Sequence, residues 1–180
     1  MKALYYFIFL CSYWVTYSQP LQSMTSQSKV TILGTSSLHD WESIVEDFDF
    51  SARLEGDTLK SISGILMTKS IESGKSIMND KTYDALKAEK FPKIIFTSDF
   101  LIRDGDQFNG SGKLQIAGKE KIIPMKVIFD SARPMFFTGE VSLKMTDFGV
   151  DPPSAMFGTI TTGDEIKIQY NISMTSNSIK

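Results

Sequence analysis

The one histidine of the chain, His39, stands in the stretch SSLHDWES beside Asp40 and several serines, the residue types from which a Ser-His-Asp triad is assembled. An extended backbone points successive side chains to opposite faces, so Asp40 cannot orient His39, whereas Trp41 shares its face. The spacing therefore reads as a rim or turn histidine beside a packed tryptophan. Metal chemistry has less to work with. The only cysteine, Cys11, lies in the apolar N-terminal run, and Asp147, Asp151 and Asp164 lack the spacing of a calcium loop. The sequence has no glycine-rich phosphate loop and no nucleophile elbow, and NGS at 109–111 and NIS at 171–173 are tripeptides that often arise by chance. Catalytic residues, metal ligands and cofactors are accordingly expected to be none, and an enzyme centred on His39 is the weakest of three functional readings.

What the chain does supply is apolar lining. Thirteen phenylalanines and nine methionines occur, many at alternate positions. Met67, Met125, Met145 and Met174 carry the flexible thioether that fits irregular space. The elements that would position them show period-2 alternation, the mark of strands with one buried face. Phe48, Phe50, Ala52 and Leu54 alternate with polar residues, as do Ile166, Ile168, Tyr170, Ile172 and Met174, and Phe96, Phe100 and Ile102 share a parity. Turn clusters divide the chain into eight segments at about 29–36, 40–54, 58–71, 93–102, 107–117, 121–129, 135–146 and 164–175. Eight antiparallel strands bury their apolar faces by packing two sheets or by closing one barrel. The long strands 40–54 and 164–175 favour the barrel.

One segment departs from the alternation. NDKTYDALKAEKFPKIIF reads as a helix over about 79–91, with cap-forming Asn79 and Asp80 in front. Phe91-Pro92 stops it and a strand resumes at Ile94. A lone short helix in an all-β chain suits a lid over one open end.

At the N-terminus Lys2 precedes ALYYFIFLCSYWV and then TYSQP, the order of a secretory signal peptide. Residues 1–18 are expected to be removed, with cleavage near Ser18 and Gln19, leaving 19–180 as a single exported domain without a thiol. The run falls short of the roughly 20 apolar residues of a membrane span. Net charge is −2, with 19 basic and 21 acidic residues, so no broad positive field exists to hold nucleic acid.

Three blocks carry a family resemblance. SGKSIMNDKTYDALKAEKFPKIIFTSDFLI, then GSGKLQIAGKEKIIPMKVIF, then SLKMTDFGVDPPSAMFGTITTGDEIKIQYNI resemble, in that order, the YceI-like, lipocalin-like proteins. The corresponding features are Phe91-Pro92 with Ile94-Ile95-Phe96, the strand Gly112 to Gly118, and Asp147-Phe148-Gly149-Val150. The resemblance implies an exported, periplasmic (or secreted), eight-stranded antiparallel lipocalin-like barrel with a helical cap, holding a polyisoprenoid or similar long-chain lipid inside.

Parity alone leaves open whether the barrel is hollow or filled, and the resemblance favours hollow. Strand parity then assigns the lining to Phe48, Phe50, Phe96, Phe100, Val141, Leu143, Met145, Ile166, Ile168 and Tyr170. A phosphorylated head group would meet the helix start at Asn79 and Lys81. The expected role is non-enzymatic lipid binding, as carrier, store or scavenger in the cell envelope. The alternative is a filled barrel acting through its outer surface as an envelope or stress-related interaction protein. A transient membrane contact and a homodimer stay open as further partners.

Overall fold

Strands with one apolar face each hide those faces from water by turning them onto a shared interior. The computed structural model describes residues 18–130, 132–133, 135–155 and 158–176. The expected signal peptide lies almost wholly outside the described residues. The wall is built from β1 (Ser18–Ser23), β2 (Lys29–Ser36), β3 (Trp41–Val45), β4 (Phe48–Glu55), β5 (Thr58–Met67), β6 (Ile71–Glu72), β7 (Lys93–Asp104), β8 (Gln107–Ile116), β9 (Lys119–Phe129), β10 (Phe136–Lys144) and β12 (Ile160–Ser176). The two-residue β11 (Ser154–Ala155) pairs only with β12.

Three pairs of these segments are single staves broken midway. A 3₁₀ turn at Thr25–Gln27 separates β1 from β2, Glu46-Asp47 separates β3 from β4, and a 3₁₀ turn at Thr68–Ser70 separates β5 from β6. Counted as staves the wall has eight members, and β12 closes it by pairing back onto both β1 and β2. This closed antiparallel barrel is the fold expected from the alternation. β1 was not expected, because SQPLQS has no alternation and only Leu21 of it is buried.

The interior is mainly apolar: Val30, Val45, Leu59, Leu101 and Phe108 are all at most 4% exposed. At one end Phe137 packs against Phe108 and Phe129, with ring centroids 6.4 and 5.5 Å apart, while the Arg103 guanidinium lies over Phe108 and Phe129. This aromatic cluster is the floor of the barrel.

Four aromatic side chains fold down onto glycines of the neighbouring stave. A methyl group added at Gly34 would stand 2.2 Å from the Trp41 indole, at Gly64 2.6 Å from Phe50, at Gly112 2.4 Å from Phe96, and at Gly139 2.2 Å from the Tyr170 hydroxyl. Rings that lie against the wall in this way border the interior cavities instead of filling them.

One strand breaks the parity read from sequence. The β7–β8 register shifts between Thr97 and Leu101. Ser98 is buried there, its hydroxyl shared between the carbonyls of Ser111 and Phe100, and the next inward residue is Leu101. Phe100 and Ile102 therefore point out, 54% and 55% exposed. A bulge inserts one residue and flips every side chain beyond it.

The helix also differs from expectation. α1 spans Ser76–Ala85, starting three residues before Asn79. Asn79 is buried inside its first turns, and its carboxamide oxygen reaches back to accept from the Ser73 amide and hydroxyl at 2.8 and 2.7 Å. A residue of capping type thus ties down the approach to the helix from within it. The helix ends in a Schellman arrangement, Ala88 N–H to Tyr83 C=O and Lys87 N–H to Asp84 C=O, with Lys87 at φ +53 in the left-handed position usual for glycine.

Candidate functional site

The strand register fixes which side chains face inward, and the wall they form encloses two chambers. The larger, about 450 Å³, lies under α1, the Ser36–Trp41 loop and the 3₁₀ turn at Met145–Phe148. The smaller, about 110 Å³, lies toward the aromatic floor and is lined by residues such as Phe50, Phe96, Met125 and Ile172. Ile94 and Ile168 line both, so the two chambers are neighbours in the barrel interior. The larger falls within the range of small-molecule sites, about 300–1,000 Å³. It opens to solvent, since Leu38 lines it and is 67% exposed.

The lid is held by hydrogen bonds. Tyr83 of α1 donates to the Glu72 carboxylate and the Ile71 carbonyl at 3.0 and 3.1 Å, and Asn79 donates to Glu72 as well. Burial, then the bond to the Glu72 carboxylate, pushes the Tyr83 phenol up to about 12. Beyond the helix, Thr68 pins the Phe91-Pro92 step. Its hydroxyl donates to Phe91 C=O and its N–H to Pro92 C=O, both at 2.9 Å, and Thr68 itself is 1% exposed. The other side of the rim rests on Asp164, which accepts from the Thr146 hydroxyl at 2.7 Å and its N–H at 2.9 Å. Those bonds hold the Asp164 carboxyl below its usual range.

The residues named from sequence divide between the chambers. Leu143, Met145 and Ile166 line the larger, Phe50, Phe96, Val141 and Tyr170 the smaller, and Ile168 both. Tyr170 is 9% exposed and donates to Lys126 C=O at 3.1 Å, and burial pushes its phenol up. Two of the ten lie elsewhere. Phe48 is enclosed in the core against Phe50, centroids 5.8 Å apart, and borders neither open volume. Phe100 is outside the barrel because of the β7 bulge. Of the head-group pair, Lys81 lines the mouth, whereas Asn79 is occupied by Ser73 and Glu72 and the free N–H groups of the helix start lie nearer Ser76. Sequence reasoning missed the lid's own contribution, Met78, Thr82 and Ala85, although their i, i+4, i+7 spacing marks one helical face.

His39 lies in the rim loop. Its Nδ1 is 2.7 Å from the Asp40 carbonyl rather than the carboxylate, and the nearby Ser36 hydroxyl donates to the His39 carbonyl. These side chains brace a turn and do not assemble a triad. Among the described residues no group of three or more His, Cys, Asp or Glu is placed to hold a metal ion, and no helix is long and apolar enough to cross a membrane.

A lidded, apolar, two-chambered barrel with this order of elements matches one family model, the YceI-like domain, over residues 22–174. The chain belongs to the YceI-like family. Solved structures with the same fold include BcnA of Burkholderia cenocepacia, at 20% identity and a TM-score of 0.72, covering 85% of this chain and 99% of that one. A polyisoprenoid binding domain from Saccharophagus degradans, implicated in plant cell wall breakdown, aligns at 12% identity and a TM-score of 0.65 over 89% of this chain and 99% of its own. The Campylobacter jejuni YCEI protein aligns at 16% identity and a TM-score of 0.62, covering 76% of this chain and 84% of that one. No curated protein matches the chain at a significant level. For this YceI-like chain the family and the fold are thus established, and the barrel suits an apolar ligand.

Proposed function

We propose that this YceI-like protein binds a polyisoprenoid or similar long-chain lipid inside the barrel, without catalysis, as a carrier, store or scavenger in the cell envelope. The observation that carries the reading is the pair of neighbouring chambers that share Ile94 and Ile168, the smaller lined by apolar side chains and Tyr170, the larger reaching the mouth beside the lid. A flexible apolar chain fills such a space, with its tail among Phe50, Phe96, Val141 and Tyr170 and its head near Lys81. The polyisoprenoid-binding domain of Saccharophagus degradans supports this class of ligand.

Each methylene moved from water into the barrel contributes about 0.8 kcal/mol. A bilayer offers nearly the same gain, so occupancy depends on fit to the chambers and on head-group contacts. Exchange with a membrane is then reversible, which is what a carrier requires. We further propose that residues 1–18 direct export and are removed, placing the barrel in the periplasm or outside the cell. Organic extraction of purified protein followed by mass spectrometry tests the reading. Recovery of a stoichiometric long-chain lipid is expected, and protein that yields none and takes up none when offered would overturn it.

A further inference from the structure

We propose that the open end of the barrel is a docking surface for an anionic lipid bilayer, built from Leu38 and Ile77 with Lys75, Lys81 and Lys144. The inference rests on the lipid-binding reading above and adds how the ligand enters and leaves.

Six large apolar side chains are exposed among the described residues, and four of them, Phe100, Ile102, Ile122 and Ile128, are on the outer wall. The other two stand at the mouth. Leu38 forms the tip of the rim loop at 67% exposure, and Ile77 lies on the first turn of α1 at 71%. Ile77 is one helical turn from Lys81, which lines the opening, as do Lys75 and Lys144.

The charge around these tips is basic in a chain whose net charge is −2. Among the described residues Glu42 is the one carboxylate lining the cavity, against those three lysines. Asp40 and Asp80 flank His39 and Lys81 along the chain, and Asp164 stands near Lys144. Seven other cations are ion-paired among the described residues, Lys121 with Asp147 of the rim turn among them, whereas Lys75 and Lys81 make no ion pair there. Aliphatic tips ringed by lysines fit an interface where apolar groups enter the acyl boundary and cations meet lipid phosphates. A protein partner would call for exposed aromatic anchors, and Trp41 at this rim is folded onto Gly34. Docked mouth-down, the barrel passes a lipid between bilayer and chamber without exposing its methylenes to water.

Flotation of the purified protein with phosphatidylcholine vesicles, with and without one-third phosphatidylglycerol, tests the proposal. Co-flotation that depends on phosphatidylglycerol and weakens with salt is expected. Reversing Lys75 and Lys81 to Glu should lower it by about tenfold or more, at the typical contribution of a lysine near an anionic surface. Ile77→Asp should also lower it, while Ile102→Asp with Ile122→Asp on the outer wall should not. Equal binding to neutral vesicles, or loss on the outer-wall change instead, would overturn the proposal. Uptake of a fluorescent prenyl probe added from ethanol separates the two readings. Ile77, which does not line the cavity, should keep full uptake as Asp. Flotation without any uptake would leave docking standing and sink the carrier function, and uptake without flotation would do the reverse.

Discussion

The indole of Trp41 lies against Gly34, its cross-strand partner, so closely that a methyl group there would stand 2.2 Å from the ring. The Trp41 Nε1–H donates to the Thr35 carbonyl at 3.0 Å, which fixes the ring in that position at the mouth. Gly34→Ala must therefore push the indole away from the wall. The expected cost is about 1–3 kcal/mol, as for an overpacked core. Urea unfolding and tryptophan emission measure it, and an unchanged midpoint and spectrum would show that the contact is loose.

Ile168 borders both chambers, so in the proposed lipid complex its side chain is where a tail that occupies both would cross. Ile168→Phe should block that crossing. Short apolar probes should still bind in the larger chamber while long-chain ones lose at least an order of magnitude in affinity. Equal losses for both would mean that the chambers do not act in series.

Phe96 and Phe100 are four residues apart on one strand, yet the bulge places them on opposite faces. Phe96→Trp should block uptake, since Phe96 already touches Gly112 and lines the smaller chamber. Phe100→Trp should leave uptake unchanged. The reverse result would restore the simple alternation.

Thr68 provides the only hydroxyl bonded to the Phe91 carbonyl among the described residues, at a position that is 1% exposed. Thr68→Val keeps the shape and removes that donor. The expected loss is about 1–3 kcal/mol, the penalty for an unsatisfied buried carbonyl. Differential scanning calorimetry would register it, and a change under about half a kcal/mol would mean that water replaces the hydroxyl.

Stability should fall at both ends of the pH scale. The Thr146 bonds lower the Asp164 pKa from its usual 3.8, so this carboxylate stabilises the fold above that value, and its contribution is lost as pH falls through the folded one. Glu55, Asp130 and Glu140 are lowered as well, chiefly by Lys60, Arg133 and Gln169, and being exposed they add modestly. Tyr83 is raised from 10.0 to about 12, so its contribution is full below 10.0 and lost as pH rises through about 12. Unfolding midpoints should be flat from about pH 5 to about pH 9. Asp164→Asn should reduce the acid slope and Tyr83→Phe the alkaline one.

The alternation of Ile166 to Met174 could be followed residue by residue into the wall, because β12 keeps its parity from Ile166 onward. The strand segments were legible for the same reason, since turn clusters bound them and one face of each is buried. The β7 bulge was not, because a buried Ser98 looks like any polar residue until its hydroxyl is seen to satisfy two carbonyls. Asn79 misled in the opposite way, for a residue that caps helices also serves as a brace once inside one. The paired lining of Ile94 and Ile168 was out of reach, since where empty volume lies depends on which rings fold onto which glycines.

Those ring-on-glycine contacts change what a comparison of relatives should examine. In a barrel of this kind the interior volume depends in part on positions that do not line it. Gly34, Gly64, Gly112 and Gly139 each hold a ring out of the lumen by having no side chain. Two family members with identical lining residues could thus differ in interior volume, and a series of relatives sorted by glycine content at these four sites should be ordered by the size of cavity their barrels enclose.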